Sequence, residues 1–149
     1  MNAIDLGLSV LWAARNVGAA VKGERGIRMT WEDALRRQED GWRLPTEAEA
    51  QELVNHCRWT QHAVNSRNVG YDVSRNSGSL YLPMDVKTVM ETDGKRRHFT
   101  VAGAVAAFWT STPAGEDART LHLQDGLVYT GSQDRESHLY VRFVRERRK

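Results

Sequence analysis

Apolar residues at helical spacing mark two short helices in the first third of the chain. Trp31, Ala34 and Leu35 recur at i, i+3 and i+4 with Gln38 at i+7, while Arg36, Arg37 and Glu39 fall on other faces. This predicts a helix from Trp31 to about Glu39. Thr30 is its N-cap, Asp33 sits favourably in its first turn, and Asp40-Gly41 is its stop. Ala50, Leu53, Val54 and Cys57 make a second stripe, predicting a helix from Glu47 to about Cys57. Thr46 and Glu49 form a T-x-x-E capping box, and Pro45 forces the preceding Trp42–Leu44 run to be extended. Both helices are amphipathic, so each must lie on something larger.

The remaining pattern is that of strands. Leu8–Ala13 reads as a first strand, followed from 19 to 28 by a glycine- and charge-rich connection. Gly70–Ser74 and Ser79–Pro83 flank Arg75-Asn76-Ser77-Gly78, a hairpin signal, with Tyr71 and Val73 on one face and Leu80 and Leu82 matching them. Residues 85–97 read as irregular, with Lys95, Arg96, Arg97 and His98 as a solvated basic cluster. Phe99–Val105 is a weak apolar run and Phe108–Ser111 a strand. Arg119–Leu123 and Leu127–Tyr129 flank Gln124-Asp125-Gly126 as a second hairpin. His138–Val144 closes the chain as a strand whose Leu139, Val141 and Phe143 alternate with Tyr140 and Arg142, predicting one buried face. A strand, two helices and then many antiparallel strands make an α+β pattern.

Composition narrows the picture. A chain of 149 residues fits one domain, 1–149, with a core large enough to need no disulfide staples. Five tryptophans within an aromatic share of 8% point to a core built on a few large rings. The net charge of +2 leans on Arg142, Arg145, Arg147, Arg148 and Lys149, read as a solvated tail. No basic helix with interleaved aromatics supports a nucleic-acid reader. The one cysteine, Cys57, excludes an internal disulfide and reads as a small buried hydrophobe. No signal-peptide pattern opens the chain and no run reaches the length of a membrane span.

Five blocks in order carry a resemblance. Asp5–Ala13 with Asn16-Val17-Gly18-Ala19, then Gly41–Thr46 with Glu49, Leu53 and Cys57, resemble the opening and centre of the Fibrobacter major paralogous domain family. Asn68–Tyr71 with Leu80–Pro83, Phe108–Pro113 and Tyr140–Val144 are similar to its later blocks. The resemblance runs from Asp5 to Val144. It implies a C-type-lectin-like fold related to the formylglycine-generating enzyme group: paired termini, two helices packed on a twisted, mainly antiparallel sheet, and a loop-rich second half that carries binding. It also implies a bacterial protein of the cell envelope or a secreted one, with the cytoplasm as the alternative. Trp12, Trp31, Trp42 and Trp109 recur in the family's signatures and are expected to pack the core with satisfied indole N–H groups, with Arg43 and Pro45 as framework. The connection between Gly18 and Thr30 is shorter than is common in the family, Arg15 stands where members often carry a cysteine, and residues 84–107 match poorly.

Candidate chemistry is sparse. The E-P-N and W-N-D triplets of calcium-dependent sugar binding are missing, and a single cysteine cannot form the copper-binding pair of the formylglycine-generating enzymes. Asp85, Glu91 and Asp93 read as solvated charges. His122 and His138 could form a zinc pair, and Ser111, Asp117 and His122 a triad, but half-buried histidines and a chance triple are the readings taken. Trp59 either faces a ligand or covers the end of the second helix. The expected function is a non-catalytic recognition module for a protein or glycan ligand, with no cofactor, metal, nucleic-acid partner or membrane span. Thr110, Ser111, Arg119, His122, Tyr129, Asp134, Arg135, His138 and Tyr140 are the expected contact residues, because strands with one buried face present polar and aromatic groups on the other. The alternatives are a structural or assembly domain of a bacterial envelope protein, a variable ligand-binding protein of a diversity-generating retroelement, and an enzyme of the formylglycine-generating superfamily with altered chemistry.

Overall fold

The computed structural model describes residues 2–93 and 96–147, with side chains outside 86–104. It is a mixed α+β architecture of three antiparallel sheets and two helices. The first sheet joins the ends of the chain: β2 (Val10–Ala13) is the middle strand, paired with β1 (Ala3–Ile4) and β10 (Val144–Glu146). The second is β3 (Arg58–Val64), β4 (Arg67–Arg75) and β5 (Gly78–Pro83) in sequence order. The third is the meander β6 (Asp85–Asp93), β7 (Arg96–Ala114), β8 (Asp117–Gln124) and β9 (Leu127–Asp134).

Helix α1 (Trp31–Arg36) is capped by Thr30, whose hydroxyl accepts from the Asp33 amide. It ends three residues earlier than its apolar pattern suggests, because a competing hairpin takes over. Asp40 and Gly41 both adopt positive φ, and Glu39 and Trp42 exchange backbone hydrogen bonds across them. Gln38, expected to continue the helical face, instead accepts the Leu44 amide with its side chain. Helix α2 (Glu47–His56) carries the complete capping box, and it buries Ala50 and Leu53. Arg43 ties this corner to the C-terminal strand. Its guanidinium reaches both Glu49 oxygens at 2.7 and 2.8 Å and Glu146 at 2.7 Å, while Arg43 and Val144 exchange backbone bonds.

The first hairpin forms as its sequence indicates, with Asn76 at φ 56° in the turn and Tyr71, Val73, Leu80 and Leu82 all buried. Two regions differ from expectation. Residues 85–93 and 96–97, read as irregular, are strands β6 and β7, so the second half is rich in sheet and not in loops. A long, weakly apolar stretch pairs because its neighbour supplies the ladder, which no local pattern announces. Lys95 lies outside the described residues. Arg58–Val64, unassigned by its pattern, is edge strand β3.

The closing segment also differs. Residues 141–143 are extended without ladder partners on both sides, and Tyr140, Val141, Arg142, Phe143 and Val144 are all buried. Both faces are covered because the segment runs between two clusters. Val141 and Phe143 join Trp31, Trp42 and Trp109, whereas Tyr140 and Val144 join Trp12, Leu53 and Leu121. Arg142, 2% exposed, donates to Asn16 Oδ1 at 2.7 Å, Ala13 O at 3.1 Å and Tyr81 O at 2.6 Å.

The tryptophans are core residues, with one departure. Trp31 donates to Thr110 O and Trp109 to Met29 O, each at 2.8 Å. Trp12 is buried with its indole nitrogen unpartnered among the described residues. Trp59 is half-buried and covers the end of α2, donating to Leu53 O at 3.0 Å, one of the helix's last carbonyls. Cys57 is half-buried against the first cluster, and burial raises its thiol pKa.

Candidate functional site

The turn Asp125-Gly126 sets the register that builds the site. It pairs His122 with Tyr129 and Thr120 with Gly131 on one face of the β8–β9 hairpin. His122 and Tyr129 stack with ring centroids 5.0 Å apart and planes 9° from parallel. Gly131 makes room for the imidazole, since a Cβ there would lie 3.0 Å from its Cδ2 and 3.1 Å from its Nε2. Thr120 Oγ1 sits 2.6 Å from His122 Nε2, and the Gln124 amide donates to the Tyr129 hydroxyl at 3.1 Å. Burial, with Arg119 nearby, lowers the His122 pKa and favours a neutral ring.

A strap lies across this face. Tyr140 exchanges backbone bonds with β7, its amide donating to Ala107 O and its carbonyl accepting from Trp109, while Leu139 pairs with Met29 on the other side. The Tyr140 hydroxyl thereby reaches Asp85, donating to the carboxylate at 2.8 and 2.9 Å. Burial and this carboxylate push its pKa up to about 12. Arg25 Nε pairs with Asp85 at 3.2 Å. Strap and sheet enclose an open pocket of about 260 Å³ lined by Arg28, Asp85, His122, Gln133, His138 and Tyr140, among others. A second hollow of about 560 Å³ adjoins it across the Arg25–Asp85 pair, between the glycine-rich connection and Tyr81.

Of the nine expected contact residues, His122, His138 and Tyr140 line this pocket and Tyr129 backs His122. The others lie elsewhere. Thr110 is 0% exposed and its hydroxyl donates to Arg119 O, so it offers a ligand no surface; Tyr140 is also buried but lines the pocket. Ser111 donates its amide to Pro45 O, and Arg119 pairs with Glu47 beside the start of α2. Asp134 caps a local turn by accepting the Glu136 amide. Arg135 is framework: it donates to Asp117 O and Gly115 O and lies 4.4 Å over the Trp31 ring. His122 Nε2 is engaged by Thr120, not by the Ser111 or Asp117 of the sequence triad.

Arg28, Gln124 and Gln133 are polar lining residues that sequence reasoning did not assign, and Asp85, read there as a solvated charge, is instead held by Tyr140 and Arg25. Arg28 and Asp85 lie in stretches without periodicity, so no pattern could aim them. Gln133 shares the parity of Tyr129 in β9, and that alternation is the one signal that could have found it. Among the described residues no group of three or more histidine, cysteine, aspartate or glutamate side chains is arranged to hold a metal ion. Among the described residues no helix is long and apolar enough to cross a membrane. Comparison with protein-family models, with curated proteins and with solved structures gave no match to any of them.

Proposed function

We propose that the chain is a non-catalytic recognition module and that the pocket under the Tyr140 strap is its binding site. The observation that carries this reading is convergence: His122, His138 and Tyr140, distant in sequence, line one cavity with Arg28, Asp85 and Gln133. Concave sites with aromatic walls and a few convergent polar groups are the usual form of ligand pockets. The phenol stays protonated and the imidazole neutral, so the pocket offers fixed donors and acceptors. Its size suits one protruding unit of a larger ligand, a sugar ring or a single side chain. The C-type-lectin-like fold and envelope or secreted location implied by the family resemblance agree with a glycan or protein ligand.

The test is a glycan and polypeptide binding screen on the purified protein, followed by His138→Ala and Arg28→Ala, both exposed and free of framework bonds among the described residues. A ligand whose affinity falls about tenfold in these variants supports the reading. A ligand bound equally well by both variants moves the site elsewhere, and failure of every ligand class favours the structural or assembly role.

A further inference from the structure

Strand β9 ends the four-stranded sheet with a bare edge. The two-residue turn after Gln124 makes 124↔127, 122↔129, 120↔131 and 118↔133 the hydrogen-bonded pairs, so Val128, Thr130 and Ser132 aim their N–H and C=O groups away from β8. Among the described residues no backbone partner meets them, whereas Asp134, next in this series, gives its carbonyl to Ser137. Edge strands are normally protected by charge, proline, bulges or brevity. The other edges show such devices. β3 carries Arg58 and a bulge at His62/Ala63, β6 carries Lys87 and a bulge at Lys87/Thr88, β5 ends in Pro83, and β1 and β10 have two and three residues. β9 is eight residues in unbroken register, without proline and with Asp134 at its last position as its one charge, and its Leu127 is 52% exposed.

We infer that β9 is a self-pairing edge: two copies of this chain join antiparallel through it about a two-fold axis at Thr130. The sequence of the edge is self-complementary in that register. Thr130 faces its own counterpart across the axis, with its hydroxyl donating to Gln51 Oε1 of α2 at 2.9 Å within each copy, and Val128 faces Ser132, giving roughly six interchain backbone hydrogen bonds. On the pocket face Tyr129 of each copy falls opposite Gly131 of the other, so no bulky pair collides there. The exposed Leu127 falls opposite Gln133. No like charges meet along the strand. Isologous two-fold contacts of this kind are the commonest route to a soluble oligomer.

Ser132→Pro tests the pairing, because the Ser132 N–H points outward and its loss leaves the β8 ladder whole. Sedimentation equilibrium from micromolar to millimolar protein is expected to show a monomer–dimer equilibrium. Amide exchange at Val128, Thr130 and Ser132 should slow as the dimer forms. Ser132→Pro removes two of the interchain bonds and should weaken the dimer about tenfold or more, with thermal unfolding of the monomer, measured at concentrations too low for the parent to dimerise, essentially unchanged. A monomer throughout the range would overturn the inference. So would a dimer that Ser132→Pro does not weaken, or one that leaves the three amides unprotected. A monomer that instead captures an extended peptide at this edge also refutes self-pairing.

Discussion

Removing the Arg142 guanidinium tests how the two halves of the core are held together. The side chain is buried, and its donors satisfy Ala13 O and Asn16 Oδ1 at the end of β2 and just beyond it, and Tyr81 O on β5. No carboxylate accepts from it among the described hydrogen bonds, and burial lowers its pKa. Two opposing effects decide the sign of a substitution. Each buried oxygen left unpaired costs about 1–3 kcal/mol. Burying the charge costs several kcal/mol, which its removal returns. Arg142→Ala also leaves a cavity, so a net loss of about 3–5 kcal/mol is expected. Arg142→Met fills the volume but not the oxygens and should cost about 2–3 kcal/mol. Urea unfolding followed by tryptophan fluorescence gives both values from the midpoint shift at constant slope. An Arg142→Met protein as stable as the parent would refute the reasoning. Desolvation would then outweigh the three bonds, and apolar packing alone would hold the closing segment.

Further expectations follow from single contacts. Thr46→Ala removes the α2 cap and leaves the Glu49 amide unpaired, costing about 1 kcal/mol in the same unfolding assay. A Cβ at Gly70 would lie 2.4 Å from the Tyr81 hydroxyl oxygen and 2.6 Å from Leu82 O, so Gly70→Ala should cost about 1–3 kcal/mol and displace Tyr81, visible as a change in near-ultraviolet dichroism. His122 binds its proton more weakly in the folded protein than in the unfolded chain, burial being the first cause. Its contribution to stability is therefore complete above the ordinary value of 6.5 and is lost as the pH falls below it. His122→Gln should flatten that part of the pH–stability curve; an unchanged curve would reject the burial argument.

Elements governed by neighbouring residues were legible in the chain. The Thr46–Glu49 box, the two hairpin turns and the buried parity of Tyr71, Val73, Leu80 and Leu82 need only contacts a few residues apart. Trp59 was legible as a choice between two placements, and its bond to Leu53 O selects the one over the helix end. Failures came where a distant partner decided. Gln38 left its helix for the Leu44 amide, residues 85–93 became a strand because β7 lies beside them, and Arg142 was drawn inside by oxygens of Ala13, Asn16 and Tyr81.

The candidate site shows the same division. His122, Tyr129, His138 and Tyr140 could be selected by residue type and strand parity, which are properties of the chain itself. That His122 and Tyr129 stack, that Tyr140 reaches Asp85, and that Arg28 and Gln133 complete the pocket was decided by the register of β8 with β9 and by the strap's docking on β7. The sequence alone determined an α+β chain with two capped helices and antiparallel hairpins, because caps, turns and periodicity act within a few residues. Only the tertiary structure decided which polar groups meet, because side-chain direction across a sheet depends on long-range pairing, and a slip of one residue sends every group to the opposite face.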